Sequence, residues 1–556
     1  MNSATPKVWN TLQRNREGRK ERVARALGAA LDGKQLPSDR IGDLLHQVLE
    51  AGDRVCLEGN NQKQADFLAK ALAALDPARV HDLHMLQSVL ALPEHLDVFE
   101  QGIASRLDFS FSGPQAGRVA KLVAAGKLNI GAIHTYLELF SRYFIDLPPR
   151  VSLIAAEAAD RHGNLYTGPN TEDTPAIVEA TAFRNGIVIV QVNRIMDVLP
   201  RVDVPGDWVD YVVKSPEDYF IEPLFTRDPA QISEIQVLMA MMAIKGIYAE
   251  YQVERLNHGI GFDTAAIELL LPTYATSLGL KGKIARHWAL NPHPALIPAI
   301  ESGFAESVYS FGSELGMEDY IRARPDVFSV GADGSMRSNR AMCQAAGHYA
   351  CDMFIGSTLQ IDLQGNSSTA TAGRIAGFGG APNMGADARG RRHATPAWLK
   401  AGEQARAGRN VIPRGQKLVV QIVETFREHM QPAFVETLDA WELARQAKMA
   451  IPPVMIYGDD VTHILTEEGI ANLLLCRSDE EREQAIRGVA GYTPVGMARD
   501  RRMVENLRDR GIIRRAEDLG IDKRDATRDL LAAKNMKDLV RASGGLYAPP
   551  RRFRNW

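Results

Sequence analysis

Short runs rich in Val and Ile alternate along this chain with longer stretches that carry apolar residues at helical spacing. Three such runs are typical of fully buried strands: 151–156, 187–192 and 418–423. Four stretches predict helices: 62–75, 233–253, 265–271 and 478–489. Pro272 should end or kink the third helix. Because strands separated by helices pair through crossover connections, the alternation predicts an α/β fold with mostly parallel sheets.

The same local order, a strand, a Gly-containing turn and a helix, occurs twice. Residues 55–61 lead into a helix expected at Gln62, and residues 259–263 lead into one expected at Thr264. A chain of 556 residues is also longer than a single hydrophobic core usually supports. We therefore predict two halves, 1–228 and 229–556, with the site in the cleft between them and the helices after Pro452 packed around the second half.

Composition places the chain among ordinary globular proteins, with 45% hydrophobic and 24% charged residues. Its four cysteines form no C-x-x-C pair, so we expect neither a disulfide framework nor a metal cage. The sparse cysteines also fit a protein located in the reducing cytoplasm. Residues 1–25 are interrupted by Lys and Arg, which is not typical of a secretory signal. Among the longest apolar runs is 237–244, too short to span a membrane.

Charge is distributed unevenly. Residues 501–556 hold 15 Lys or Arg against 8 Asp or Glu, while the whole chain has a net charge of −3. Such a basic end suits an acidic partner or nucleic acid, or it is a solvated helical face. The Asp residues interspersed in it favour the solvated face over a nucleic-acid stripe.

The motif that most suggests chemistry is the Gly-rich sequence at 377–385. Glycine lets a backbone approach a ligand closely, so its N–H groups can stabilise an oxyanion in acyl transfer. A dinucleotide turn is disfavoured because Pro382 replaces the third Gly and Glu403 lacks a preceding strand. A flexible surface loop is the remaining alternative.

Several motifs together resemble the coenzyme A transferase superfamily. The motifs are Asp-Leu-Gln-Gly-Asn at 362–366, Gly-Phe-Gly-Gly at 377–380, the turn and helix start at 259–266, the segment 461–469, and the elements at 191–193 and 199–201. The amino-acid sequence of residues 379–393 is most similar to that of the alpha subunits of malonate decarboxylases. The resemblance implies two tandem coenzyme A transferase-like halves with the active site between them.

This resemblance implies an acyl-carrier-protein transferase that exchanges acetate for malonate on a carrier thioester. The implied partners are the acyl carrier protein, other decarboxylase subunits and malonate, with no nucleic acid and no membrane. The carrier would supply a phosphopantetheine-type arm, and this chain would bind no metal or cofactor of its own. Three alternatives remain: an acetyl-coenzyme A hydrolase or transferase, a citrate lyase-type alpha subunit, and a non-catalytic assembly platform.

Most members of that superfamily carry the acyl group on a catalytic Glu of the second half. Residues 269–300 contain no Asp or Glu, so this nucleophile is missing where it is expected. The resemblance therefore implies direct attack by malonate and a bound mixed anhydride. Glu301 is the nearest carboxylate that could still act as a nucleophile, although a Glu near a helix end is commonly structural.

Candidate site residues fall into three groups. The oxyanion donors are the N–H groups of Gly379, Gly380 and Ala381. The substrate-binding candidates are Arg286 and Arg389 as carboxylate-holding cations, His287 and His393 behind them, and Gly377, Phe378 and Asn383. The candidates for the thioester arm are Asn60, Asn61, Gly259, Gly261, Gln364 and Asn366.

The remaining reactive side chains are expected to be structural. The sequence shows no Ser-His-Asp triad, since His258, His348 and His463 are scattered. Cys343 and Cys351 lie on a predicted helix and are expected to pack in the core.

Overall fold

A computed structural model describes residues 8–60, 62–388, 394–406, 415–554 and 556. Within these ranges the chain forms one sheet of nine strands and one of eight. The first sheet has the order Gln35–Leu36, Tyr211–Lys214, Ile187–Ile195, Val151–Ala159, Arg54–Leu57, Leu83–Val89, Ala104–Phe111 and Asn129–Ile133, and Leu165–Tyr166 pairs with Val151–Ala159. The second has the order Ser307–Ser310, His287–Leu290, Arg255–His258, Met353–Ser357, Leu418–Ile422, His463–Thr466, Gly469–Asn472 and Ile513–Arg514.

Both sheets are mostly parallel, which confirms the predicted fold class. In the first sheet only the short strand Leu165–Tyr166 pairs antiparallel, and in the second only Gly469–Asn472 and Ile513–Arg514 do so, among the strands described. The central strands are buried on both faces, as continuous Val and Ile runs require. All three predicted strands are present.

Helices flank the sheets. The α-helices of five or more residues are Val8–Leu27, Ile41–Val48, Asp66–Ala73, Glu94–Glu100, Ala116–Ala124, Tyr136–Ile145, Thr174–Ala182, Glu234–Ala243, Phe262–Leu270, Ile297–Glu301, Glu318–Arg322, Arg340–Ala350, Pro396–Arg406, Ala440–Gln446, Asp479–Val489, Arg501–Asp509 and Met536–Ala542. In the described ranges, none of them has the length and apolar character needed to cross a lipid bilayer.

Of two predicted helix boundaries, one differs from the structure and the other is confirmed. The helix expected at Gln62 begins at Asp66, because the Asn60 side chain accepts the N–H groups of residues 62 and 63 and holds a turn there. The regular α-helix before Pro272 ends at Leu270, as predicted. The chain widens into a π turn at Leu271–Ala275, which accommodates a residue without an N–H.

Each sheet has its own hydrophobic core, but the chain does not divide cleanly between them. Ala370, Ile375, Leu443 and Ala447 pack into the core of the first sheet, although they follow at least four strands of the second sheet in sequence. The predicted boundary between residues 228 and 229 stays a prediction. All four cysteines are buried thiols without a disulfide.

Candidate functional site

A cavity of about 190 Å³ lies at the carboxyl ends of the second sheet. Asn257 and His258 end one strand, while Asn291 and Phe311 directly follow two others, and all four side chains line the cavity. The first sheet contributes Phe111 from the end of its own strand. Ligands in α/β folds bind outside the carboxyl ends of parallel strands, so this is the expected place for a site.

The glycine loop, residues 377–381, forms one wall of this cavity and docks onto the first sheet. The N–H groups of Phe378 and Gly379 both donate to Ser110 O, at 2.7 and 2.9 Å. Gly377 and Gly379 have φ of +79° and +57°, in the left-handed region that favours glycine. A Cβ at Gly377 would lie 2.4 Å from Ser110 O, so a larger residue would push the loop off the sheet.

All three predicted oxyanion donors belong to residues that line the cavity, and in the described ranges one of their N–H groups has no acceptor. Gly379 N–H is used by Ser110, and Ala381 N–H donates to Phe378 O at 3.2 Å. Gly380 N–H makes no hydrogen bond to any described residue. Of the three N–H groups predicted to stabilise an oxyanion, that of Gly380 is therefore the one left without an acceptor in the described ranges.

A side-chain amide lies beside Gly380. The Nε2 of Gln344 is buried, lines the cavity and has no hydrogen-bond partner in the described ranges. Asn383 Nδ2 donates to Gln344 Oε1 at 2.9 Å, which turns the Nε2 end away from Asn383 and toward the loop. A Cβ at Gly380 would lie 2.2 Å from that Nε2. Two unused donors, one from the backbone and one from a side chain, therefore lie close together.

Arg227 is the one charged residue among the described cavity-lining residues. Its Nη1 donates to the carbonyls of Leu224 and Thr226, at 3.0 and 3.1 Å, and no carboxylate in the described ranges forms an ion pair with it. Burial lowers its pKa, but a guanidinium stays protonated at neutral pH. This leaves an available positive charge on the cavity wall.

The described part of the cavity wall contains no Asp, Glu, Cys or Lys. Glu301, the alternative nucleophile, is elsewhere: it accepts from Tyr320 Oη at 2.7 Å and pairs with Arg324. No described residue on the wall therefore offers a carboxylate to carry an acyl group.

His258 lines the cavity but belongs to a buried network. Its Nδ1 lies 2.9 Å from Glu268 and its Nε2 lies 2.6 Å from Tyr248 Oη, while His293 binds the other oxygen of Glu268 at 2.7 Å. Burial lowers the pKa of His258. Burial alone would raise the pKa of Glu268, but the two histidines outweigh it and bring that pKa to about 2. Since both ring nitrogens are engaged, His258 is not placed to act as a base.

Arg286 and His287 lie at the amino end of a strand whose carboxyl end meets the cavity at Asn291. At about 3.3 Å per residue, this puts them more than 10 Å from the cavity. Arg286 makes two 2.8 Å hydrogen bonds to Glu306, and His287 contacts Ser307. This placement does not fit the substrate-binding roles predicted for them.

Asn60, Gln364 and Asn366 also lie away from the cavity lining. Asn60 caps a turn with its side chain, and Asn366 binds Asp362 and the Gly458 N–H, so both hold local backbone. Gly259 lines the cavity. Gly261 caps the next helix. Three predicted site residues, Asn61, Arg389 and His393, lie outside the described residues.

The sequence interpretation did not identify Arg227 or Gln344. Arg227 follows Leu224 and Phe225 in an irregular segment between the two sheets, which carries no motif. Gln344 lies inside a helix, and only the fold brings it next to Gly380. The sequence did contain one signal for Arg227: it lies at the predicted boundary between the two halves, where the cleft was expected.

Three comparisons place the chain among known proteins. A family model described as "Malonate decarboxylase, alpha subunit, transporter" matches residues 8–556. The "Acetyl-S-ACP:malonate ACP transferase" of Malonomonas rubra is 62% identical over 553 residues, which is 99% of each chain.

Solved structures agree with this. A chain from the Pseudomonas malonate decarboxylase hetero-tetramer in complex with malonate is 60% identical, with a TM-score of 0.93 over 99% of this chain and 100% of that one. The alpha subunit from Acinetobacter baumannii is 56% identical, with a TM-score of 0.91 over 98% of this chain and 100% of that one. An acyl-CoA transferase from Escherichia coli shares the fold alone, with 14% identity and a TM-score of 0.50 over 78% of this chain and 87% of that one.

Proposed function

The chain belongs to the family of malonate decarboxylase alpha subunits, and from this premise we propose that it transfers an acyl carrier protein from acetate to malonate. The products are malonyl-carrier and acetate. One observation carries the proposal: three groups belong to residues that line one cavity at the carboxyl ends of the second sheet. In the described ranges Gly380 N–H and Gln344 Nε2 have no acceptor, and the Arg227 guanidinium has no carboxylate partner.

The reaction proceeds in two displacements. A carboxylate oxygen of malonate attacks the acetyl carbonyl, the C–S bond breaks, and the carrier thiolate leaves. The bound acetyl-malonyl anhydride is then attacked by that thiolate at its malonyl carbonyl, and acetate departs. Because the described wall offers no carboxylate, malonate itself is the nucleophile and no acyl-enzyme forms.

The two donors and the cation have separate roles in this proposal. Gly380 N–H and Gln344 Nε2 donate to the oxyanion formed at each carbonyl, where such preorganised donors lower the barrier by a few kcal/mol, on the order of 3. Arg227 binds the carboxylate of malonate that does not react. The carrier protein delivers the thioester on a phosphopantetheine-type arm, and the chain works without a bound metal or cofactor, in the cytoplasm, within a multisubunit decarboxylase.

The test uses the purified full chain with acetyl-carrier and labelled malonate. We expect label to enter the carrier thioester as acetate is released in equal amount. Hydroxylamine or borohydride added during turnover should trap no acyl group on the protein. An acylated glutamyl peptide would contradict the anhydride mechanism, and absence of label in the carrier would contradict the function.

A further inference from the structure

Tyr136 holds a phenol group against the glycine loop. It begins the helix Tyr136–Ile145 and lines the cavity. Its backbone N–H donates to Gly379 O at 3.1 Å, and a Cβ built on Gly379 would lie 3.5 Å from the Tyr136 Oη. The phenol oxygen therefore lies beside the residue that directly precedes Gly380, the backbone donor left without an acceptor in the described ranges.

Three residues on the described cavity wall carry hydroxyl groups, and two of these hydroxyls already have acceptors. Ser357 Oγ donates to Asp263 Oδ2 at 2.8 Å, and Thr369 Oγ1 donates to Gly377 O at 2.5 Å. Tyr136 Oη makes no hydrogen bond to any residue that the structure describes. Because a hydroxyl has one proton to donate, Tyr136 is the one of the three whose O–H stays available.

The surroundings of Tyr136 keep its phenol protonated and strengthen it as a donor. Burial raises the pKa of Tyr136 to about 12, and the charge of Arg340 opposes part of that rise. The Arg340 guanidinium lies 4.3 Å from the ring centroid, where its positive charge favours negative charge on the phenol oxygen. At neutral pH the hydroxyl therefore keeps its proton and is polarised toward donating it in a hydrogen bond.

The transfer reaction releases a thiolate that still lacks a donor. Gly380 and Gln344 donate to the carbonyl oxygen, and Arg227 binds the malonate carboxylate. Much of the remaining described wall is apolar and includes Phe111 and Phe311. A charge released in such surroundings costs free energy unless a hydrogen bond compensates it. The leaving sulfur therefore needs a donor of its own.

We propose that the Tyr136 hydroxyl is a catalytic group that donates a hydrogen bond to the leaving thiolate. The inference rests on the function proposed above, because that reaction requires the thiolate to stay in the cavity until it attacks again. When the C–S bond of the acetyl thioester breaks, its electron pair stays on sulfur, and the Tyr136 O–H donates to that sulfur without losing its proton. When the sulfur attacks the malonyl carbonyl, the same pair forms the new C–S bond and the hydrogen bond is released.

The test compares Tyr136→Phe with the wild-type full chain, because Phe keeps the ring beside Arg340 and loses only the oxygen. We expect kcat with acetyl-carrier and malonate to fall by about 10- to 100-fold, as for the loss of a hydrogen bond to a charged group, while malonate affinity in calorimetry stays unchanged. Tyr143→Phe is the matched control, since Tyr143 is a buried tyrosine of the same helix that does not line the cavity. It should keep the wild-type kcat. An unchanged kcat in Tyr136→Phe would overturn the proposal.

A second measurement distinguishes the sulfur from the carbonyl oxygen. The kcat/KM for malonate-dependent thiol release is compared between S-acetylpantetheine, an alkyl thioester, and S-phenyl thioacetate, whose thiol is the stronger acid. A less basic leaving sulfur depends less on a donor, so Tyr136→Phe should lose about 10- to 100-fold with the first substrate and less than about threefold with the second. An equal loss with both would mean that the hydroxyl acts at the carbonyl oxygen or on the fold, and the proposal would be wrong. Failure of the proposed function shows differently, because the wild-type chain itself would then transfer no acyl-carrier thioester to malonate.

Discussion

Arg227 is the residue on which malonate recognition depends in this mechanism. Replacing it with Ala should weaken malonate binding by about 10- to 100-fold, since a charge-assisted hydrogen bond contributes about 1.5–3 kcal/mol. Arg227→Lys should recover part of the malonate affinity, because Lys keeps the positive charge. The recovery should be incomplete, because Lys cannot donate two parallel hydrogen bonds to a carboxylate as Arg does. Calorimetry with malonate, together with KM for malonate, measures both effects.

Arg286→Ala is the matched control for that experiment. Arg286 is bound to Glu306 on the surface and lies beyond reach of the cavity, so its loss should leave malonate affinity unchanged. An equal loss of affinity in the two variants would mean that the cation has been assigned to the wrong residue.

Gln344 gives a second prediction for a single residue. In Gln344→Leu the side chain keeps its approximate size but loses the buried Nε2 next to Gly380. We expect kcat to fall by about 100-fold, as when other enzymes lose one oxyanion donor, while malonate affinity stays near that of the wild type. Thermal unfolding of the same sample checks that the fold is intact. An unchanged kcat would leave Gly380 as the single donor.

Individual elements show what local sequence can predict. The run of Val and Ile at 151–156 extends into the strand Val151–Ala159, and the turn at Gly259 leads into the helix Phe262–Leu270, because burial on both faces and glycine turns leave local signals. Pro272 was expected to end or kink its helix, since its missing N–H is a local signal too. The regular α-helix does end at Leu270, but the π turn that follows it has no local sequence signal.

The helix Arg340–Ala350 carries Gln344, and Arg340 attaches its first turn to the first sheet, where its Nη1 donates to Ser88 Oγ at 3.0 Å. Arg340 is 1% exposed, its Nη2 donates to Glu172 at 2.8 Å, and its guanidinium stacks on Tyr136 at 4.3 Å. In Arg340→Met the carboxylate of Glu172 loses this buried cation. We expect the free energy of unfolding to fall by about 3–5 kcal/mol, measured by chemical denaturation.

Arg445→Ala is the control for this loss, because Arg445 forms an exposed ion pair with Glu442 and should contribute less than about 1 kcal/mol. If Arg340→Met were no less stable than this control, the ion pairs of Arg340 would not hold the helix in place. Activity of any folded Arg340→Met protein should also decrease, since Gln344 would no longer be fixed beside the glycine loop.

Across the whole molecule, the site consists of residues that are far apart in sequence. Ser110 of the first sheet holds the loop that presents Gly380, while Arg227 and Gln344 come from segments 117 and 234 residues beyond Ser110. The glycine loop was predictable because its composition is itself the signal. Arg227 and Gln344 were not, because each is an ordinary residue until the two sheets come together. Arg286 was predicted to bind substrate, but it lies at the amino end of a strand whose carboxyl end meets the cavity. The two ends of a strand lie at opposite edges of a sheet, which the local sequence does not reveal.

The junction of the two sheets also predicts how stability depends on pH. Glu314 is fully buried where the connecting piece packs, and its Oε1 accepts from Thr226, whose hydroxyl oxygen lies at 2.8 Å. Burial raises the pKa of Glu314 to about 7. Between about pH 4.5 and 7 the folded chain keeps a proton that the unfolded chain releases, so the free energy of unfolding decreases as pH rises through that window.

Glu314→Gln removes this titration while keeping an acceptor for Thr226. The loss of stability between pH 5 and 8 should therefore be smaller in the variant than in the wild type, by an amount on the order of 3 kcal/mol, in denaturant unfolding across that range. Glu428→Gln, at an exposed position, should reproduce the wild-type dependence. Parallel curves for Glu314→Gln and the wild type would show that this carboxyl ionises in the folded chain as it does in the unfolded one.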